Sequence, residues 1–153
     1  MLTNSEIMSL RLNSRIRFFF EVASPNLNNI RKLKSFITSI LIWEKKELGA
    51  INFIFTNDKT IHRINKKYLG HDFLTDIITF ELSVKKEPIM AEIYISCDRV
   101  KENAIIHKTN FNEELHRVIF HGVLHLCGYR DKTSRQIKLM RAKETEYLSK
   151  YFE

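Results

Sequence analysis

AINFIFTNDKTIHRINKKYLG, residues 50–70, changes its periodicity halfway along. Up to Thr56 the pattern has a period of two, with Ile51, Phe53 and Phe55 on one face, as in a strand with one buried side. Beyond it Ile61, Ile64 and Tyr68 recur at helical spacing. Asn57 or Asp58 supplies the N-terminal cap and Gly70 the stop. A strand running directly into a helix is the unit from which layered α/β and α+β domains are built.

The same alternation extends on both sides. Ile16 to Val22 (IRFFFEV) is a compact β-prone run. Pro25 and the Asn-rich stretch after it open a helical segment with Ile30, Leu33, Ile37, Ile40 and Leu41 in register, and Gly49 is placed to cap its end. IITFELS (77–83) and MAEIYIS (90–96) read as two more strands, joined as a hairpin through the turn-like Lys85 to Pro88. Everything beyond Cys97 reads as helix, over about 98–108, 112–127 and 133–150. The expectation is an α/β (α+β) single domain spanning 1–153, with about four strands and about five helices. The helix-rich end should cover one sheet face.

Composition narrows the class. A chain of 153 residues, 44% hydrophobic and 28% charged with 4 Gly and 2 Pro, has the ordinary balance of a globular domain and can bury a core without disulfides. No apolar run approaches the roughly 20 residues of a membrane span. The first residues, MLTNSEIMSLRLNSR, lack the basic start and apolar stretch of an export signal, so the expected location is the cytoplasm. Cys97 and Cys127 are too few for a disulfide framework or a Cys-based zinc site. The net charge of +7 comes from dispersed Lys and Arg and suits a polyanionic partner, nucleic acid above all.

The chemistry concentrates in HGVLHLCGYRD, residues 121–131. His121 and His125 are four apart, so on a helix both imidazoles face one ion from consecutive turns. Gly128 lets the chain leave the helix in a left-handed turn. Asp131, three residues on, can fold back as a third ligand. Three protein ligands leave one position open, which is the arrangement of catalytic rather than structural zinc. Both His stand among Val118, Ile119, Phe120, Val123, Leu124 and Leu126, where an unpaired polar group is costly. Metzincin proteases share this spacing, but they need Glu directly after the first His as general base. Gly122 stands there instead.

HGVLHLCGY followed by a ligand residue resembles the signature HGxLHLxGYDH of the YbeY family of bacterial endoribonucleases. Asn65 and Tyr68 through LTDIITF (74–80) resemble that family's N-x-x-Y…P-T-D-V-L-S-F segment. AEIYIS with Glu102-Asn103-Ala104 resembles its G-D-I-x-I-S…E-N-A block. The resemblance covers roughly residues 50–131. It implies a mixed sheet layered with helices, one bound Zn2+ per chain, and cleavage of single-stranded RNA in maturation of the small-subunit ribosomal RNA 3′ end. Small ribosomal subunits are the implied partner, and no membrane. In the family the third ligand is usually His, where this chain has Asp131, and the preceding Asp is Arg130. An Arg that usually follows the family's Tyr is replaced by Leu69. Its RNA contacts would then pass to other cations, with Lys66, Lys67, Arg130 and Lys132 as candidates.

The remaining polar residues have blander readings. Glu114 lies on the His121/His125 stripe but about ten ångströms along the axis from His121, as a solvated first-turn residue favouring the helix dipole. His62, His71, His107 and His116 lack partners at ligand spacing and read as surface or boundary residues. Asp76 and Asp98 stand at element ends as candidate bases or ligand supports. Cys127 falls about 200° around the axis from His125 and should face away from the metal. Besides the metal-dependent endoribonuclease, two further readings remain: a ribosome assembly factor with a chiefly structural metal, and a metzincin-like protease.

Overall fold

The computed structural model describes residues 1–25 and 27–153; Asn26, in the Asn-rich stretch, lies outside the described residues. The chain folds as α1 (Asn4–Asn13), β1 (Ile16–Phe20), α2 (Ile30–Trp43), β2 (Leu48–Thr56), α3 (Asp58–Leu69), β3 (Ile77–Glu81), β4 (Ile89–Ser96), α4 (Cys97–Ile106), α5 (Phe111–Leu126) and α6 (Ser134–Tyr151). The four strands form one sheet in the order β1-β2-β4-β3. β1 and β4 run parallel to β2, while β3 returns antiparallel to β4 at the edge. The sheet is therefore mixed, as the family resemblance implied.

The switch at residues 50–70 falls where the sequence places it. Ile51, Phe53 and Phe55 are fully buried in β2. Asn57 caps α3 by accepting from the Thr60 N–H, and Gly70 ends it in the left-handed conformation (φ 66°). The hairpin joins β3 to β4, so Ile78 pairs with Tyr94 and Phe80 with Glu92.

Two elements differ from expectation. A helix not anticipated, α1, begins at a capping box in which Thr3 and Glu6 satisfy each other's backbone N–H groups. The second helix stops at Trp43, well before Gly49, because Lys45 takes the left-handed turn (φ 58°) expected of the glycine. Gly49 instead lies in β2 where the pairing with β4 shifts register. A Cβ there would stand 2.7 Å from the Ile89 carbonyl oxygen and 2.8 Å from Met90 Sδ. It is a glycine of close approach, not of capping.

The core lies between the sheet and α2, α5 and α6. Leu33, Ile37 and Ile40 of α2, Phe53 and Phe55 of β2, and Leu115, Ile119, Phe120 and Val123 of α5 belong to one buried cluster. At Gly122 the helix comes so close to the sheet that a Cβ would meet Ile77 Cδ1 at 2.8 Å and Ile93 at 3.3 Å. This contact fixes the rotation of α5 about its axis, so that His121 and His125, on the flank next to Gly122, line a groove with Ile77. No helix among the described residues is long and apolar enough to cross a membrane.

Candidate metal centre

The C-terminal half of α5, the turn that leaves it and α6 together build the site. Gly128 adopts φ 100°, and the Tyr129 N–H reaches back to the Leu124 carbonyl at 3.1 Å. The chain thereby reverses beside the helix end. The reversal carries the Tyr129 carbonyl to within 2.9 Å of His125 Nδ1. It also places Asp131 Oδ2 3.4 Å from both His121 Nε2 and His125 Nε2. One donor atom from each residue lies within 4.8 Å of the others.

The donor set passes a stringent test of fit to a cation. A backbone carbonyl only accepts, so His125 Nδ1 carries its proton, and its Nε2 then presents a lone pair. His121 Nδ1 faces Glu144 Oε2 at 3.2 Å, which favours the same tautomer. Two such nitrogens 2.9 Å apart repel unless a proton or a metal ion lies between them. Burial opposes charging His121, but hydrogen bonding and charge from Glu144, with Asp76 and Asp131, outweigh it and raise its pKa. Burial and the neighbouring His121 charge lower that of His125. The pair is therefore poised to share one positive charge, and Asp131 stands ready to balance it.

Two residues at the site were not legible as site residues. Glu144 of α6 is 4% exposed and orients His121, the support that metal-ligating His generally receives from a carboxylate. Its position among Met140, Tyr147, Leu148 and Tyr151, the buried face of α6, is the signal that could have found it. Arg117 lies one turn before His121, with Nη1 3.6 Å from Glu144. Asp76, flagged at an element end, lines the grooves on both sides of His121 and Asp131. Burial raises its pKa, opposed by the His121 charge, while Asn103 Nδ2 donates to Oδ2 at 3.1 Å.

Other expectations are corrected. Glu114 is not solvated: it is 2% exposed on α5. His116 is no surface residue either, being buried against Tyr151 with Nδ1 2.6 Å from the Asn112 carbonyl. His107 and His62 each face a carboxylate, Glu114 at 3.6 Å and Asp72 at 2.6 Å. Asp98 accepts from the Asp58 N–H at the start of α3 and lines neither groove beside His121, which removes it as a base. Cys127 caps α5 without joining the three donors, and burial pushes its thiol up to about 12.

Of the four candidate RNA contacts, Lys132 lines the groove shared by His121, His125, Asp131 and Leu69. Arg130 lines a second groove that begins at His125. Lys66 and Lys67 lie in the last turn of α3. Lys66 is 4.0 Å from Asp72, and Lys67 lies over the Tyr68 ring; neither lines the grooves at the site.

Two imidazoles and a carboxylate, set at a groove on an α+β layered domain, are the donor set of single-metal hydrolases with three protein ligands. Comparison with known proteins makes the class specific. The family model described as Endoribonuclease YbeY matches residues 21–152. A protein named endoribonuclease YbeY from Flavobacterium johnsoniae is 42% identical over 82% of this chain and 90% of its own. One of the same name from Christiangramia forsetii is 44% identical over 86% and 91%. The solution structure of TM1509 from Thermotoga maritima superposes with a TM-score of 0.65 at 30% identity, covering 90% of this chain and 89% of that one. The chain belongs to the endoribonuclease YbeY family, a family of nuclease hydrolases.

Proposed function

We propose that this chain is a metal-dependent endoribonuclease that cuts single-stranded RNA in ribosomal RNA maturation, at the small-subunit 3′ end, working as a single domain over 1–153. His121, His125 and Asp131 hold one zinc ion per chain. The observation that carries this reading is the convergence of three donor atoms within 4.8 Å, with both His fixed to present Nε2. The donor chemistry favours zinc, which accepts imidazole and carboxylate in a four-coordinate site with one position open. A zinc ion bound there supplies Lewis acidity toward a phosphoryl oxygen and a lowered pKa for coordinated water.

The chain's own groups do the rest. Glu144 keeps the His121 ring oriented, and the Tyr129 carbonyl does the same for His125. Asp76, which lines both grooves beside His121 and whose pKa burial raises above the ordinary carboxylate value, is the candidate acid–base group. Lys132 stands where a phosphate beside the donors would pass. Unpaired RNA fits such a groove, whereas the deep, narrow major groove of an A-form duplex keeps its bases out of reach. Work on ribosomal RNA would place the protein with the small subunit in the cytoplasm.

A second reading keeps some support from one position. Leu69 lines the groove at the position where the family pattern resembled by this sequence implies an Arg, which suits an assembly factor whose metal is chiefly structural. A protease is disfavoured, since Gly122 packs on Ile77 and Ile93 and leaves no room for a base. Elemental analysis with cleavage assays on untagged protein, wild type and His121→Ala, tests the proposal. Zinc at one per chain, RNA cleavage in the wild type and loss of both in a folded variant are expected. Ribosome binding with metal but no cleavage would favour the assembly factor, and peptide hydrolysis without RNA cleavage the protease.

A further inference from the structure

Beside the three donors, α4, α5 and α6 enclose a cavity of about 350 Å³, within the size range of small-ligand sites. It contains charged groups that the metal centre does not use. Glu114 is 2% exposed, yet its Oε2 has no hydrogen-bond partner among the described residues. The nearest side-chain nitrogens stop short: Arg117 Nε is 3.7 Å away and His107 Nδ1 3.6 Å. A buried carboxylate held beyond hydrogen-bond reach of the nearest donors is costly in a folded chain unless something else satisfies it.

The rest of the cavity describes what would satisfy it. Val118, Ile137 and Met140 give it apolar walls, suited to the faces of a flat ring. Its polar lining sets a carboxylate and a guanidinium side by side, Glu114 and Arg117. Among the RNA bases, only guanine presents two adjacent donors, N1–H and N2–H, to a carboxylate, with an acceptor, O6, next to them for an Arg. Adenine and cytosine set an acceptor lone pair beside their amino group. Uracil flanks its one N–H with two carbonyls. Each would turn a lone pair toward Glu114.

We propose that this cavity is a base-selective subsite that takes guanine from single-stranded RNA, Glu114 accepting from N1–H and N2–H and Arg117 facing O6. It shares Asp76, His121 and Asp131 with the metal centre, so the selected base belongs to a nucleotide next to the cleaved phosphate. The physiological ligand rests on the endoribonuclease reading, whereas the recognition of guanine rests on the cavity alone.

The test titrates zinc-loaded protein calorimetrically with guanosine 5′-monophosphate, inosine 5′-monophosphate and adenosine 5′-monophosphate. Inosine differs from guanosine only in lacking the N2 amino group, so this comparison needs no variant. Guanosine should bind about tenfold or more tighter than inosine, as loss of half a bidentate contact to a charged acceptor implies. In Glu114→Gln, checked for metal content and thermal unfolding, the preference should shrink severalfold while adenosine binding is unchanged. A matching assay cleaves a single-stranded oligoribonucleotide bearing one G and its inosine counterpart. Equal affinity for the guanine and inosine nucleotides would overturn the subsite even if RNA is cut. Failure to cut any RNA would instead overturn the endoribonuclease reading, with the titration still deciding the subsite.

Discussion

Replacing His125 by Ala removes one of two lone pairs that face each other at 2.9 Å and should abolish stoichiometric metal, as should His121→Ala and Asp131→Ala. His107→Ala, at the mouth of the neighbouring cavity, should keep it. Metal content by elemental analysis decides the matter, and full retention in Asp131→Ala would exclude that carboxylate. His116 gives a separate expectation about stability. Burial lowers its pKa below the ordinary 6.5, outweighing the hydrogen bond to the Asn112 carbonyl. The unfolded chain therefore binds the His116 proton more readily than the folded one. This contribution to stability is fully present above pH 6.5 and is lost as pH falls through the lower folded value. Denaturant unfolding across pH 7.5 to 5 should show His116→Phe with a flatter curve than wild type. At this scale the sequence disclosed the three side chains whose donor atoms converge and hid their supports. The His121, His125 and Asp131 spacing is local, within one helix and its turn. Glu144 reaches His121 from another helix, and its place on the buried face of α6 marks it as unusual without naming its partner.

At the scale of elements, Gly49 and Gly122 limit how closely the layers approach. Gly49→Ala would drive a Cβ to 2.7 Å from a backbone oxygen that cannot swing aside. Loss of about 1–3 kcal/mol in denaturant unfolding is expected, as for overpacked sites generally. Gly122→Leu should destabilise by a similar or larger amount, because Ile77 and the fully buried Ile93 must both move. If either variant matched wild-type stability, the close approach would be wrong at that position. The same glycines mark where sequence reading stopped. Gly70 and Gly128 act through left-handed backbone, which capping rules anticipate. Gly49 acts through a neighbour some 40 residues away in sequence, and a chain read alone assigns it to the helix before it. α1 was missed for a different reason. Its capping box is visible in Thr3 and Glu6, but its only buried residue is Asn13, so it shows no apolar stripe.

Across the whole molecule, the charge of +7 acquires direction from the grooves at the metal centre. The groove that starts at His125 continues past Arg130 toward Lys45 and Lys46 on one bank and Lys85 and Lys86 on the other, enclosing about 870 Å³. Lys45 and Lys86 both have positive φ, 58° and 74°, so two tight turns present these cations. Glu47, Glu81 and Glu87 also line the groove, which keeps its field moderate and suits a strand that must bind and leave. A single strand held there by phosphate contacts releases counterions, and log affinity should fall linearly with log salt, by about 0.7 per contact. Removing two contacts with Lys85→Ala/Lys86→Ala should therefore make the slope shallower by about 1.4. Lys101, exposed on α4 and outside these grooves, provides the control, and Lys101→Ala should leave the slope unchanged. The measurement is binding of a fluorescent single-stranded oligoribonucleotide over a range of salt, with zinc content checked in each variant. Equal slopes in the double variant and wild type would remove this groove from the path of the strand. The route would then lie through the groove of Lys132 and Leu69, on the other side of His125.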